Sequence, residues 1–277
     1  MGASCIACSR YGQRALLSRL CCSWPEPCNV LIIGSSVACG WSAGGRQGWA
    51  QMLDEALGPQ TRVVNEAIPG SDTRIAATAL AAALLRWKPK AVVIALSAGN
   101  EGLPVTTGEA AAEACAETFL GGLEALVAAA ERAGAAVVLG SVYPHGAYKA
   151  VHYGAITRVA ETMRGWGRPV FDFLTPLDDG AGRWPEALQA DPAHPNSEGH
   201  RRMFEATRPH WEALRRAAAK GEPNSKRPSK EFIARRRAAP IEYVHLSPYL
   251  EALEAVVFAL RNKISPYLPP VRRAAPI

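Results

Sequence analysis

Short apolar runs alternate with longer stretches of helical spacing through the middle of the chain. Asn29-Val30-Leu31-Ile32-Ile33-Gly34 reads as a buried strand, and Thr61-Arg62-Val63-Val64-Asn65 as a second. Between them, Trp49, Met52, Leu53 and Leu57 recur at helical spacing over residues 46–57. An Ala/Leu-rich helix over 73–86 leads to a third strand, Ala91 to Leu96. A long helix over 109–133 is closed by Gly134, and Ala135-Ala136-Val137-Val138-Leu139 follows as a fourth strand. A helix near 152–165 precedes a fifth strand, Pro169-Val170-Phe171-Asp172, and a last helix is expected over about 197–218.

Strands of this kind, alternating with helices, pack as a parallel sheet covered on both faces. The expected fold class is α/β, a three-layer αβα sandwich on a five-stranded parallel sheet. Ligands in such sheets bind beyond the carboxyl ends of the strands. Chemistry is therefore expected just after residues 34, 65, 97, 140 and 172.

Composition fits that picture and bounds it. The 277 residues are 48% hydrophobic and 20% charged, enough for a packed core of one large domain with appendages. No apolar run is long enough for a transmembrane helix. The net charge of +6 is unevenly placed. Residues 215–277 hold 13 Lys/Arg against 5 Asp/Glu, whereas residues 28–214 hold 15 against 19. The basic character belongs to the ends, so no nucleic-acid partner is expected for the core.

Three segments are expected: a Cys-rich leader over 1–27, the α/β domain over 28–219, and a basic tail over 220–277. Five of the seven cysteines lie at or before Cys28, an odd and clustered set that makes a poor disulfide framework. Cys5-Ile6-Ala7-Cys8 lacks a second pair at zinc-ligand spacing. The leader has three Arg, several Ser and no acidic residue before Glu26. That composition suits an organelle transit peptide and points to an intracellular, organellar location. The tail opens with a linker, Gly221 to Pro228, runs through Arg235-Arg236-Arg237, and has an amphipathic helix expected over 248–264. Charge runs are most often solvated surface; contact with an anionic surface or an acidic partner is the functional alternative.

The strand ends carry the candidate chemistry. After the first comes Gly34-Ser35-Ser36-Val37-Ala38-Cys39-Gly40, and after the second Asn65-Glu66-Ala67-Ile68-Pro69-Gly70. The third is followed by Ser97-Ala98-Gly99-Asn100-Glu101. Asp191-Pro192-Ala193-His194-Pro195-Asn196 precedes the last helix. Together they offer a hydroxyl, backbone N–H groups, a side-chain amide, and a carboxylate with an imidazole. Acyl transfer needs these parts. Serine is a weak nucleophile until a base takes its proton, and histidine serves as that base near neutral pH. A carboxylate orients the imidazole, and fixed donors must await the oxyanion.

The four segments resemble the blocks of the SGNH hydrolase, or GDSL-type esterase/lipase, superfamily, over about residues 28–215. The resemblance implies a flavodoxin-like sandwich and a serine esterase that needs no metal or organic cofactor. By motif, Ser36 matches the nucleophile, and Asp191 and His194 match the D-x-x-H pair. Gly70, Asn100 and the N–H of Ser36 match the oxyanion donors. The implied partner is a small-molecule, carbohydrate or lipid ester, with acyl chain and leaving group left open. Three positions depart from the family pattern: Ser35 stands for the aspartate of G-D-S, and Ala98 and Glu101 stand for the glycine and aspartate of G-x-N-D.

Rival readings attach to the same residues. Ser35 is a rival nucleophile. Ala95-Leu96-Ser97-Ala98-Gly99 resembles a G-x-S-x-G elbow, but that elbow needs a helix directly after its serine, and Gly99, Gly102 and Pro104 follow instead. His145, after the fourth strand, is a candidate substrate-lining residue. His200 and His210 on the last helix read as surface or packing residues, and Trp41, Trp49 and Trp184 as packing residues. At the level of function, the alternatives to an esterase are a catalytically weak binding or scaffold module and an acyltransferase to a sugar or lipid alcohol.

Overall fold

A computed structural model describes residues 28–219 of the chain. The expectations for the leader, and those for the tail from residue 220 onward, lie outside the described residues. The strands are β1 (Val30–Gly34), β2 (Val63–Asn65), β3 (Ala91–Ala95), β4 (Ala136–Gly140) and β5 (Val170–Phe171). The helices are α1 (Trp49–Leu57), α2 (Thr73–Trp87), α3 (Glu109–Arg132), α4 (Ala150–Gly165), α5 (Ser197–Thr207) and α6 (Trp211–Ala219). A small antiparallel hairpin, β6 (Gln189–Asp191) with β7 (His194–Pro195), precedes α5.

The five main strands form one parallel sheet in the order β2-β1-β3-β4-β5. Successive side chains of a strand point to opposite faces, so each strand feeds two cores. Leu31, Ile33, Val92 and Ile94 join the buried faces of α2, α3 and α4. Val30, Ile32, Val93 and Phe171 join those of α1, α5 and α6. This is the three-layer sandwich expected from the alternation of elements.

Two expected helices differ in detail. Residues 44–46 form a short 3-10 turn with Gly45 at φ 65°, and the helix proper starts only at Trp49. The single last helix is in fact two. Arg208–His210 is a 3-10 turn between α5 and α6. Pro209 has no N–H to continue the α-helical ladder, which accounts for the break.

The strand order places a switch point beside β1. The chain leaves β1 for β2 on one side and returns to β3 on the other, so a crevice opens between the carboxyl ends of β1 and β3. Close packing brings them together there. A Cβ on Gly34 would lie 2.5 Å from Cβ of Ala38 and 2.7 Å from the carbonyl oxygen of Ala95. Among the described residues, no helix is long and apolar enough to cross a membrane.

Below the crevice, an aromatic cluster supports the sheet. Phe173 is fully buried, with ring centroids 5.1 Å from Trp49 and 5.8 Å from Phe171. Gly140 leaves it room, since a Cβ there would stand 2.7 Å from Cε2 of Phe173. Phe173→Ala is expected to destabilise the domain by about 3–5 kcal/mol. Urea unfolding checks this: the midpoint should fall with the slope unchanged.

Candidate active site

The segment after β1 is a tight turn closed by its own backbone. The N–H of Cys39 bonds to the carbonyl of Ser35 (3.0 Å) and that of Trp41 to the carbonyl of Ser36 (3.0 Å). Gly40 takes φ 81°, and a Cβ on Gly48 would come within 2.4 Å of its Cα. The Asn65 amide ties this turn to the next loop, donating to the Ala38 carbonyl (2.8 Å) while its oxygen accepts from the Ala67 N–H (3.1 Å). The Cys39 thiol donates to the Ala67 carbonyl, and burial pushes its pKa up to about 11. Ser36 is thus presented on a turn braced from two sides.

The hairpin of β6 and β7 presents the other two residues. Its turn brings Asp191 opposite His194. Nδ1 of His194 lies 2.8 and 2.9 Å from the two carboxylate oxygens, and Nε2 lies 3.0 Å from Oγ of Ser36. A carboxylate can only accept, so Nδ1 carries the proton and Nε2 presents its lone pair to the serine hydroxyl. Asp191 also accepts from the Ala193 N–H (2.8 Å). Partial burial works to raise the Asp191 pKa, but the hydrogen bonds from His194 and Ala193 outweigh it, and the carboxyl titrates below its ordinary range. Asp191 therefore stays charged into mildly acidic solution. The hairpin is anchored by Asn196, which caps α5 through the Gly199 N–H (3.0 Å) and donates to the Ala187 carbonyl (2.9 Å).

Ser36, Gly70, Asn100 and His194 line one cavity of about 260 Å³. Gly70 sits at φ 74°, a left-handed conformation that suits glycine. Among the described residues, the N–H groups of Ser36 and Gly70 donate to no protein acceptor. The Asn100 amide spends one N–H on the Ser71 carbonyl (2.9 Å) and has a second to offer.

Glu101 has a structural partner that its sequence context did not disclose. Its carboxylate accepts the Thr73 N–H at 2.6 Å, in the first turn of α2, beside the Asp72 cap on Ile75 (2.7 Å). A carboxylate there satisfies an orphan donor and faces the positive end of the helix. It also joins the Asn100 loop to the Gly70 loop, since α2 begins directly after Gly70-Ser71-Asp72.

The rival serines take other positions. Ser35 is fully buried, with its hydroxyl 3.2 Å from that of Tyr143, while the histidine faces Ser36. Oγ of Ser97 accepts the Gly99 N–H (3.0 Å), and the chain goes on to a short 3-10 turn, Leu103–Val105, without the helix an elbow requires. Burial pushes the Tyr143 phenol up to about 12, against the hydrogen bonds from Ser35 and Ser97. His145 is among the residues that line the cavity. His200 is fully buried, donating to the Trp41 carbonyl (2.9 Å) and accepting the Trp49 N–H (3.4 Å), a packing role. Trp41 corrects the expectation of a packing residue. It is 45% exposed and lines the cavity, its ring 5.9 Å from that of His194. No group of His, Cys, Asp or Glu suited to a metal ion occurs among the described residues.

Against this geometry, residues 32–202 match the model of the GDSL-like lipase/acylhydrolase family. The chain belongs to that family. It is accordingly an ester-hydrolysing enzyme by class, and its fold is that of solved family members. TesA is similar over 67% of this chain and 99% of its own, with 24% identity and a TM-score of 0.55. The psychrotrophic esterase EstA from Pseudoalteromonas sp., solved inhibited by monoethylphosphonate, is 20% identical over 67% and 97%, with a TM-score of 0.52. A lipolytic protein of the G-D-S-L family from Veillonella parvula is 17% identical over 65% and 96%, with a TM-score of 0.52. A comparison with curated proteins finds no significant match.

In this GDSL-family site, the Glu101 cap is open to direct test. Glu101→Ala should lower stability by about 0.5–2 kcal/mol, and Glu101→Gln, which keeps an acceptor, by distinctly less. Thermal unfolding of the two variants beside wild type measures the difference.

Proposed function

We propose that the protein is a serine esterase that hydrolyses a compact carboxylic ester through an acyl-enzyme on Ser36. One observation carries this reading: an unbroken hydrogen-bonded line from the Ser36 hydroxyl through both ring nitrogens of His194 to Asp191. His194 stands on that line between the hydroxyl whose proton it would take and the carboxylate that would stabilise its charged form.

His194 takes the hydroxyl proton through Nε2 as Ser36 Oγ bonds to the ester carbonyl carbon. The imidazolium that forms is stabilised by Asp191. The carbonyl oxygen becomes an oxyanion, met by the N–H groups of Ser36 and Gly70 and by the free amide N–H of Asn100. The intermediate collapses, the bond to the alcohol oxygen breaks, and the alcohol leaves with the proton from His194. Water then attacks the acyl-enzyme, gives its proton to His194, and the acid departs as Ser36 recovers its hydrogen. Ester and water are consumed; acid and alcohol are released. This cycle calls on no metal or organic cofactor.

The size of the site supports a compact substrate. A cavity of about 260 Å³ lies just below the range of small-molecule sites, roughly 300–1,000 Å³. A short acyl group fits within it, and a long chain would have to extend beyond it.

Two measurements test the reading. A fluorophosphonate should label Ser36, as mapped by peptide mass spectrometry; Ser36→Ala should abolish labelling and Ser35→Ala should leave its position unchanged. Adduct on Ser35 or Ser97, or none on the folded protein, overturns the assignment. Asn100→Ala should cut kcat about 10²–10³-fold with KM little changed. A raised KM with kcat intact would make Asn100 a binding residue and remove it from the oxyanion site.

A further inference from the structure

Beyond β4, the chain places a second imidazole in the cavity, and the cycle above does not use it. The loop that carries it is fixed at both sides: the His145 N–H donates to the Gly182 carbonyl (3.0 Å), and the Gly146 N–H to the Pro192 carbonyl (2.6 Å) inside the Asp191–His194 turn. The ring is oriented as well. Its Nδ1 accepts the Ala147 N–H at 3.1 Å, and the Tyr148 ring packs with its centroid 5.2 Å away. With Nδ1 occupied as an acceptor, the neutral ring carries its hydrogen on Nε2.

That Nε2–H has no protein acceptor among the described residues. It lies beside the third block, because a Cβ added at Gly99 would stand 3.1 Å from Cδ2 and 3.7 Å from Nε2 of His145. Gly99 thus leaves room for the imidazole next to Asn100. Burial lowers the His145 pKa, and the neighbouring His194 lowers it further. The ring stays neutral, so it adds no second positive charge beside the imidazolium that forms on His194.

We propose that His145 is a specificity-determining residue whose Nε2–H donates a hydrogen bond to a second acceptor oxygen of the substrate, so that esters bearing such an oxygen, as polyol esters do, are preferred to hydrocarbon esters of the same size. This inference rests on the esterase reading and adds which ester the site prefers. A donor held ready for a substrate oxygen discriminates because an analogue lacking that oxygen leaves the donor buried and unpaired. The selection works through binding and alignment; His145 transfers no proton.

The test uses two ester pairs that differ by one ether oxygen in place of a methylene: 4-nitrophenyl methoxyacetate against 4-nitrophenyl butyrate, and 2-methoxyethyl acetate against butyl acetate. For each pair, the ratio of kcat/KM values is measured for wild type, His145→Leu and His145→Gln. The ratio does not depend on the fraction of folded enzyme, so a partly unfolded variant still reports. Wild type should favour the ether member of at least one pair, and His145→Leu should reduce that preference about tenfold. His145→Gln, which restores an N–H donor, should recover most of it. Equal losses on both members of both pairs, or no recovery with glutamine, overturn the inference while leaving the esterase reading intact. If wild type hydrolyses none of the esters and takes no phosphonate, the esterase reading itself fails.

Discussion

The site depends on how closely β1 and β3 approach at their carboxyl ends. At Gly34 there is no space for even one side-chain carbon, because the Ala95 carbonyl oxygen would be 2.7 Å from it. That approach sets the turn bearing Ser36 directly against the loop bearing Asn100. It also fixes the direction in which both chains leave the sheet. Gly48 and Gly99 repeat the same device, yielding their side-chain volume to the backbone of Gly40 and the ring of His145. A close-packed interior transmits such constraints without slack, so a hydroxyl and an amide from distant parts of the chain come to face one cavity.

Around that junction the loops hold one another more than the sheet holds them. Asn65 bonds to the turn after β1 and to its own loop. Asn100 and Glu101 bond across to the Gly70 loop and to the start of α2. The His145 loop bonds to the Asp191–His194 turn. Donors aimed at a developing charge are effective when they are already in place and need no reorganisation. The cross-linking supplies this rigidity, with neutral groups everywhere but at Glu101. Among the described residues no lysine or arginine lines the cavity, and the acidic balance of residues 28–214 offers no general attraction to anions. In the proposed cycle, fixed N–H dipoles would be left to meet the oxyanion.

Much of this was legible in the sequence, for identifiable reasons. Strands buried on both faces write themselves as apolar runs, and Val30–Gly34 and Ala91–Ala95 lie where those runs predicted. The carboxyl-end rule then pointed to the loops that do converge. Local motifs were equally readable: Asp191 and His194 are three residues apart and meet across a single turn. What escaped was tertiary. The Glu101 bond to Thr73 spans 28 residues, and the His200 bond that holds the Trp41 carbonyl spans 159. No spacing rule announces such partners. The break between α5 and α6 was different in kind, since Pro209 was visible and the amphipathic pattern on either side concealed its effect.

Two of the three departures from the family blocks, Ser35 and Glu101, resolve in the same terms. The aspartate replaced at position 35 would, at this fully buried position, place a carboxylate beside the Tyr143 phenol, which burial already pushes up to about 12. A charge there would need more than one hydroxyl to offset its lost hydration. Serine is neutral, and the single Tyr143 hydroxyl satisfies it at 3.2 Å. Glu101 shows the complementary case. It retains a carboxylate of the family pattern with one more methylene, and its oxygen reaches the N-terminus of α2. One substitution removes charge from a place that cannot solvate it; the other keeps charge where a helix end can. Both leave the Ser36–His194–Asp191 line intact, so the block residues around that line can vary so long as each buried polar atom keeps a partner.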